Sequence, residues 1–209
     1  MAVGAVLSDG QGSAYLFSKP AEGWITTTQT AKLTASDGEL DDSFGWSIAL
    51  SADTVVVGAP SDQIGADTQR GSAYVFAKPA GNWITTTQTA KLTASDGGAS
   101  EQFGWSVALS GDKVVVGAPF ADIDANAEQG LAYAFVKPAN GWMDMTETDK
   151  ITASDGAADD WFGWSLELEG DMLVVGSALN DIDLNEDQGS AYVFEFVKIF
   201  QFFLPMIWK

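Results

Sequence analysis

A repeat of 59 residues constrains this chain more than any other feature of its sequence. The phrase GSAYVF, or a close variant of it, recurs four times at that interval, with its glycine at Gly12, Gly71, Gly130 and Gly189. The tryptophans at positions 46, 105 and 164 keep the same spacing. A period this regular, with no insertion between copies of the marker, indicates a fold in which each repeat forms one supersecondary unit.

The clearest segment of each repeat is a predicted β-hairpin. Residues 103–119 read FGWSVALSGDKVVVGAP, in which two apolar runs flank a turn at Ser110, Gly111 and Asp112. Runs of β-branched residues that are interrupted by a short Gly-Asp turn are typical of hairpins. Similar stretches occupy residues 44–60 and 162–178. The hairpin is therefore the element around which each repeat is organised.

Each complete repeat contains four segments that resemble strands and none with helical apolar spacing. In the middle repeat these segments are residues 104–109, 113–118, 131–137 and 142–153. Four strands per repeat, with glycine and aromatic residues at fixed places, are typical of a β-propeller blade. The sequence therefore predicts an all-β fold of antiparallel four-stranded blades, with the apolar VVV strands near the centre. The blades are expected at residues 2–34 (partial), 44–96, 103–155 and 162–194 (partial).

The phrases FGWSVALSGD and VVVGAP together resemble the FG-GAP repeat, the blade unit of the integrin α-subunit propeller. The resemblance extends over residues 1–194 and departs from the pattern at residues 176–178, where Gly-Ser-Ala replaces Gly-Ala-Pro. It implies a seven-bladed propeller, an extracellular or cell-surface location, and ligand binding on one loop face. The integrin-type calcium loop between FG and GAP is not carried over, because only short turns such as Ser-Gly-Asp-Lys stand there.

The number of blades favours a segment of a larger propeller, since two blades are complete and two are partial. A closed four-bladed ring, with the tail supplying the missing outer strand, is the alternative. The non-repeat apolar tail at residues 195–209 is too short for a membrane span, which needs about 20 apolar residues. We expect the tail to add an edge strand or to be a remnant of truncation rather than to anchor the chain in lipid. The incomplete blades predict self-association.

Composition excludes several functions. The net charge of −19 makes nucleic-acid binding improbable, because phosphate backbones repel an acidic surface. The chain has no cysteine and no histidine, which removes the thiolate nucleophile and the commonest general base. We therefore expect a protein that is not an enzyme, binds no nucleic acid and does not insert into membranes.

Two acidic loops carry a pattern that suggests a calcium site. Oxygen side chains at every second position of an extended loop point the same way, as ligands of a hard cation do. The candidate Ca²⁺ ligands are Asp122, Asp124, Asn126, Glu128, Asp181, Asp183, Asn185 and Asp187. The equivalent loop of the earlier repeat lacks the pattern, and a solvated acidic loop is the favoured interpretation, with a Ca²⁺ site as the alternative.

The loops between the second and third strands, and those between the fourth strand and the next blade, should emerge on the same face. Most of the 29 acidic residues lie in these loops. The favoured function is a non-enzymatic binding or adhesion module that presents this acidic face to a protein or carbohydrate ligand. The alternatives are a structural scaffold within a larger surface protein and a propeller attached to a catalytic domain outside this chain.

Overall fold

The structure is a computed structural model that describes residues 1–196 and the strand Phe203–Met206. All regular elements in this part of the chain are β-strands, which confirms the all-β prediction. The first repeat contributes β1 (Ala2–Ala5), β2 (Ser13–Leu16) and β3 (Ala31–Thr34). The second contributes β4 (Ile48–Ser51), β5 (Thr54–Ala59), β6 (Ser72–Ala77), β7 (Thr86–Thr87) and β8 (Ala90–Thr93). The third contributes β9 (Ser106–Ser110), β10 (Lys113–Ala118), β11 (Leu131–Val136), β12 (Met145–Thr146) and β13 (Asp149–Ile151). The fourth contributes β14 (Phe162–Glu169), β15 (Met172–Ser177), β16 (Ser190–Phe196) and β17 (Phe203–Met206).

The strands form four sheets, one for each repeat, which we call blades 1 to 4. Blade 1 has the order β1-β2-β3-β7, and blade 2 has the order β12-β8-β6-β5-β4. Blade 3 has the order β13-β11-β10-β9, and blade 4 has the order β14-β15-β16-β17. Within each repeat the strands pair antiparallel, as predicted for propeller blades.

The predicted hairpin is present in the complete blades. In blade 3, Val116 of β10 lies opposite Val107 of β9 and Tyr133 of β11. Gly111 turns the chain with a φ of 58°, a left-handed conformation that glycine adopts without steric cost. The β-branched residues on either side favour the extended backbone. The turn and the apolar runs thus specify the same hairpin.

The core consists of the contacts between consecutive blades. Val55 and Val57 of β5 pack toward blade 1, while Val56 between them packs toward blade 3. Side chains alternate between the two faces of a strand, so a strand between two blades is apolar at every position. All three valines are fully buried. The VVV strands of the complete blades are thus covered on both faces.

A close approach of two backbones joins each blade to the next one. A Cβ placed on Gly117 would lie 2.1 Å from the carbonyl oxygen of Gly163, and one on Gly58 would lie 2.0 Å from that of Gly104. The neighbouring serines strengthen the same contact, because the Ser106 hydroxyl donates to the Gly163 carbonyl at 2.6 Å. The glycines of the GAP and FG phrases are therefore required by packing between blades.

The predicted fourth strand, residues 142–153 in the middle repeat, is wrong as a single element. It divides into β12, which pairs in parallel with β8 of the preceding blade, and β13, which completes its own blade. In the same way β7 pairs in parallel with β3. We call the segments at residues 84–88 and 143–147 straps. Each strap supplies hydrogen bonds to an outer edge that would otherwise be open.

The terminal blades differ from the complete ones. The first strand of blade 1, β1, is equivalent to β5 of blade 2. The loop that follows β1, residues 6–12, is shorter than the equivalent loop of blade 2, residues 60–71. In blade 4 the outer strand is β17, which pairs antiparallel with β16, so part of the tail does form an edge strand. The rest of the predicted tail, at residues 197–202 and 207–209, lies outside the described residues.

Extensive contacts between blades in the described chain join only neighbours, first to second, second to third and third to fourth. The closed four-bladed ring is therefore not the arrangement that these residues form. Among the described residues, one face of blade 4 does not pack against another blade, and Val174 there is 38% exposed where its equivalent Val115 is buried. The described residues contain no helix that is long and apolar enough to cross a membrane.

The close glycine contact leads to a test of blade stacking. Replacing Gly117 by Ala should lower the free energy of unfolding by about 3 kcal/mol, because the methyl group must push two packed backbones apart. Gly176 occupies the same place in blade 4, where a Cβ would meet only Ser165 of the same blade. Gly176→Ala should therefore have a much smaller effect in urea denaturation. Equal losses for the two variants would contradict this account of the interface.

Candidate functional site

The two predicted loop sets do meet on one face, which we call the loop face. It contains the loops from the second to the third strand, residues 60–71, 119–130 and 178–189. It also contains the loops to the next blade, residues 35–47, 94–105 and 152–161. Backbone hydrogen bonds join the two sets: the amide of Phe103 donates to the Arg70 carbonyl at 3.0 Å, and that of Phe162 donates to the Gln129 carbonyl at 2.9 Å.

A small hairpin shapes each of the acidic loops. The amide and carbonyl groups of Ile123 and Asn126 bond reciprocally, at 3.0 and 2.9 Å, and Ile182 and Asn185 do the same at 3.0 Å. Asp124 and Asp183 follow the isoleucines with φ values of 54° and 57°, where the earlier loop has Gly65 at 65°. Short aspartate side chains tolerate this left-handed conformation better than most residues. The backbone geometry thus accounts for these two aspartates.

Four of the other candidate ligands form hydrogen bonds within the loops. Asp122 Oδ1 accepts the amide of Glu128 at 2.9 Å, and Asp181 Oδ1 accepts that of Asp187 at 2.8 Å. Asn126 donates to Gln129 Oε1 at 2.9 Å. In the second loop, Asn185 donates to the Ile182 carbonyl at 3.3 Å. The bonds of Asp122 and Asp181 span six residues and close the loops through side-chain oxygens that accept backbone amides.

The structure does not gather the eight candidate ligands around a common point. Among the described residues, no group of three or more carboxylates is placed so that it could hold a metal ion. Glu128 instead accepts a hydrogen bond from the indole of Trp161 at 3.0 Å. Calcium binding by these loops therefore stays a prediction, and loop closure is the role that the geometry gives Asp122 and Asp181.

A row of aromatic rings crosses the loop face at the start of the inner strands. Trp46, Trp105 and Trp164 follow one another with ring centroids 4.7 Å apart. Phe120 lies 5.4 Å from Trp105 and 5.3 Å from Trp161, which stacks on Trp164 at 5.3 Å. We call these five rings the aromatic ladder. Trp46 is 47% exposed, so the ladder is partly a surface.

A buried polar cluster between blades 1 and 2 was missed by the sequence analysis. Asp62 is only 4% exposed and accepts hydrogen bonds from the hydroxyls of Ser72 and Tyr74, the latter at 3.0 Å. Lys91 lies 2.8 Å from Asp62 and 2.7 Å from Asp37 of the preceding blade. Burial opposes the charge on Lys91, but its hydrogen bonds to both carboxylates outweigh burial and raise the pKa of Lys91 above its usual value.

Related clusters stand at the next two interfaces. Lys150 lies 2.5 Å from Asp96, which also accepts a bond from the Tyr133 hydroxyl at 3.4 Å. At the third interface the Tyr192 hydroxyl donates to Asp155 at 2.9 Å. The signal was present in the sequence, because the tyrosines, the lysines of KLT or KIT and the aspartates of TASDG share the 59-residue spacing. These clusters join consecutive blades beneath the loop face.

The first cluster makes a prediction about stability. Lys91→Ala should lower the free energy of unfolding by about 2 kcal/mol, because it leaves the buried carboxylate of Asp62 without its cation. Lys32 is the equivalent residue of blade 1, and its partner Asp9 is largely exposed. Exposed ion pairs contribute little, so Lys32→Ala is the matched control and should hardly change the denaturation midpoint. A loss at Lys32 as large as that at Lys91 would contradict the importance of burial.

Calcium binding can be tested separately from loop closure. If the acidic loops bind Ca²⁺, millimolar Ca²⁺ should raise the melting temperature more than NaCl of equal ionic strength, since specific binding stabilises the folded state. Replacing Asp122 and Asp124 together by Asn should remove about half of that rise if the two loops are equivalent sites. The amide side chain introduced by Asp122→Asn would still offer an oxygen to the Glu128 amide, so a lost response would report metal binding. Identical responses to Ca²⁺ and NaCl would exclude specific sites.

Comparison with known proteins supports the family inferred from the motifs. The FG-GAP repeat matches this chain three times, at residues 27–76, 86–135 and 145–194. The comparison with curated proteins gives no match. Each matched stretch runs from an outer strand through the following hairpin to the third strand of the next blade. These matches cover well over half of the chain, and together with the blades described above they show that it belongs to the FG-GAP repeat family.

Proposed function

We propose that this chain is a non-enzymatic binding or adhesion module that presents its loop face to a protein or carbohydrate ligand. FG-GAP repeats form β-propeller domains and are typical of extracellular and surface proteins. The proposal places this chain in the same setting.

The aromatic ladder is the observation that carries the proposal. Five contiguous rings lie among acidic loops, and Trp46 at one end of the row is half exposed. Tryptophan provides a large, rigid contact surface with a polar N–H group, and it is enriched where proteins bind partners. An exposed aromatic surface with polar neighbours is a better docking site than the charged loops alone.

Differences between equivalent loops favour binding over a purely structural scaffold. Phe120 of the ladder has Ser61 and Leu179 at the equivalent positions of the neighbouring blades. Trp161 has Ser43 and Gln102 at its equivalent positions. The strands beneath hardly change between repeats, so the variation is concentrated where a ligand would touch. A scaffold would have no need for such asymmetry.

The charge of the loop face favours a protein ligand with basic groups. Carboxylates around the ladder attract cations, and the faces of tryptophan rings also attract them. A carbohydrate is the second candidate, because sugar rings can pack their apolar faces on exposed indoles. The alternative of an attached catalytic domain needs residues outside this chain, and the sequence supplies neither histidine nor cysteine for a site of its own.

The proposal is tested with two exposed tryptophans on opposite sides of the molecule. Trp46→Ala should weaken binding to immobilised basic extracellular proteins, or to the glycans of an array, by about tenfold, as truncation of an aromatic anchor does. Trp24 is 52% exposed and lines a cleft with Leu50 and Ala52 at the opposite rim. Trp24→Ala should leave binding unchanged. Equal binding by both variants and the wild type would contradict a site at the ladder.

A further inference from the structure

The chain carries one strap that has no strand to pair with among the described residues. Residues 24–38 and 83–97 have the identical sequence WITTTQTAKLTASDG. In the second copy, residues 84–88 dock along β3 of the preceding blade. In the first copy, residues 25–29 are exposed along their whole length. We call residues 25–29 the free strap.

The free strap already has the local bonds of the docked one. The hydroxyl of Thr30 accepts the amide of Ser18 at 2.9 Å, as that of Thr89 accepts the amide of Ala77 at 2.9 Å. The Thr27 hydroxyl donates to the Thr28 carbonyl, and its counterpart in the docked strap makes the equivalent bond. Because these bonds form without a partner strand, docking would require little further ordering of the segment.

The docked strap shows which groups the receiving edge must offer. Thr86 and Thr87 lie opposite Leu33 and Thr34 in a parallel register. On either side of this pair, the Lys32 amide donates to Thr85 Oγ1 at 3.2 Å and the Ser36 amide donates to Gln88 Oε1 at 2.9 Å. The second strap repeats the pattern, with Asp144 and Glu147 as acceptors. The receiving sequence is therefore Lys-Leu-Thr-Ala-Ser.

The outer edge of β13 offers the same backbone groups, but no strap is docked on it among the described residues. Its sequence from Lys150 to Ser154 is Lys-Ile-Thr-Ala-Ser. Within the described part of the chain, β13 pairs only with β11. The amide of Lys150 donates to the carboxylate of its own neighbour Asp149 at 2.9 Å, where β3 and β8 use an acceptor from a strap. A receiving edge and a free strap are thus both present in one chain.

We propose that the free strap of one copy docks in parallel on β13 of a second copy. Thr27 would lie opposite Ile151 and Thr28 opposite Thr152, the register of the docked strap. Within the described residues, the free strap does not reach β13 of its own chain, because blade 2 separates blade 1 from β13 and each docked strap lies on the blade before its own. Reciprocal docking produces a two-fold symmetric dimer, in which the second contact is formed at high effective concentration.

The experiment uses disulfide trapping. Because the chain has no cysteine, only the introduced cysteines can form cross-links. The variants Thr28→Cys and Thr152→Cys are prepared separately, one with a mass tag, mixed in equal amounts and oxidised with a glutathione buffer. The proposed register places these positions opposite each other, so linked heterodimers should greatly exceed both linked homodimers. A statistical mixture of homodimers and heterodimers would overturn the proposal.

Two matched controls define the register. Thr26→Cys mixed with Thr152→Cys is shifted by two residues, about 6.6 Å along the edge and beyond the reach of a disulfide, so it should give about tenfold less heterodimer. The double variant Thr34→Cys/Thr87→Cys joins the register partners of the docked strap and should form an intramolecular disulfide without dimer. Equal trapping by the shifted pair would overturn the proposed register and, with it, the proposed docking.

Discussion

The close approach of consecutive blades at their glycines is the constraint on which the rest of the structure depends. The GAP glycine of one blade lies against the carbonyl of the FG glycine of the next, with no room for a side chain between them. This spacing lets Phe103 enter the core beside Tyr133 and Phe135, with ring centroids 5.3 and 6.0 Å away. It also brings Gly71 and Phe103 close enough for a parallel bridge between blades. Packing geometry therefore explains why the motif recurs in each repeat.

The sequence predicted the strands whose partners lie nearby in the chain. The hairpin of β9 and β10 follows from a local turn, so its pattern is complete within residues 103–119. The strap was not predictable in the same way, because β12 pairs with a strand of the preceding blade more than 50 residues away. β12 lies only two residues before β13, so it looks like the start of β13 when only the local pattern is considered. Long-range parallel pairing leaves no periodic signal of its own.

The predicted metal ligands show a different limit of sequence reasoning. Alternate oxygens share one side of a loop only if the loop is extended, and that assumption fails at Asp124. The reciprocal bonds of Ile123 and Asn126 fold the chain back there, so the candidate ligands before and after the turn are not aligned along one side of the loop, and calcium binding stays a prediction. The aspartates were identified correctly as a distinct pattern, but the pattern also encodes a tight polar turn. The ladder was visible only as repeated tryptophans, and their exposure depends on which blades lie beside them.

Ion pairs connect the interfaces between blades with the loop face. Seven basic residues of the described chain form ion pairs, and Lys91, Lys113 and Lys150 use theirs to join consecutive blades. Lys78 and Lys137 are paired with the aspartates of the short turns at the opposite rim. Arg70, Lys91 and Lys150 pair with aspartates of the loop face, where acidic residues still far outnumber basic ones. The excess of acidic residues on the loop face therefore comes from the repeated loop sequences, whereas Phe120 and Trp161 are ladder residues that break the repeat.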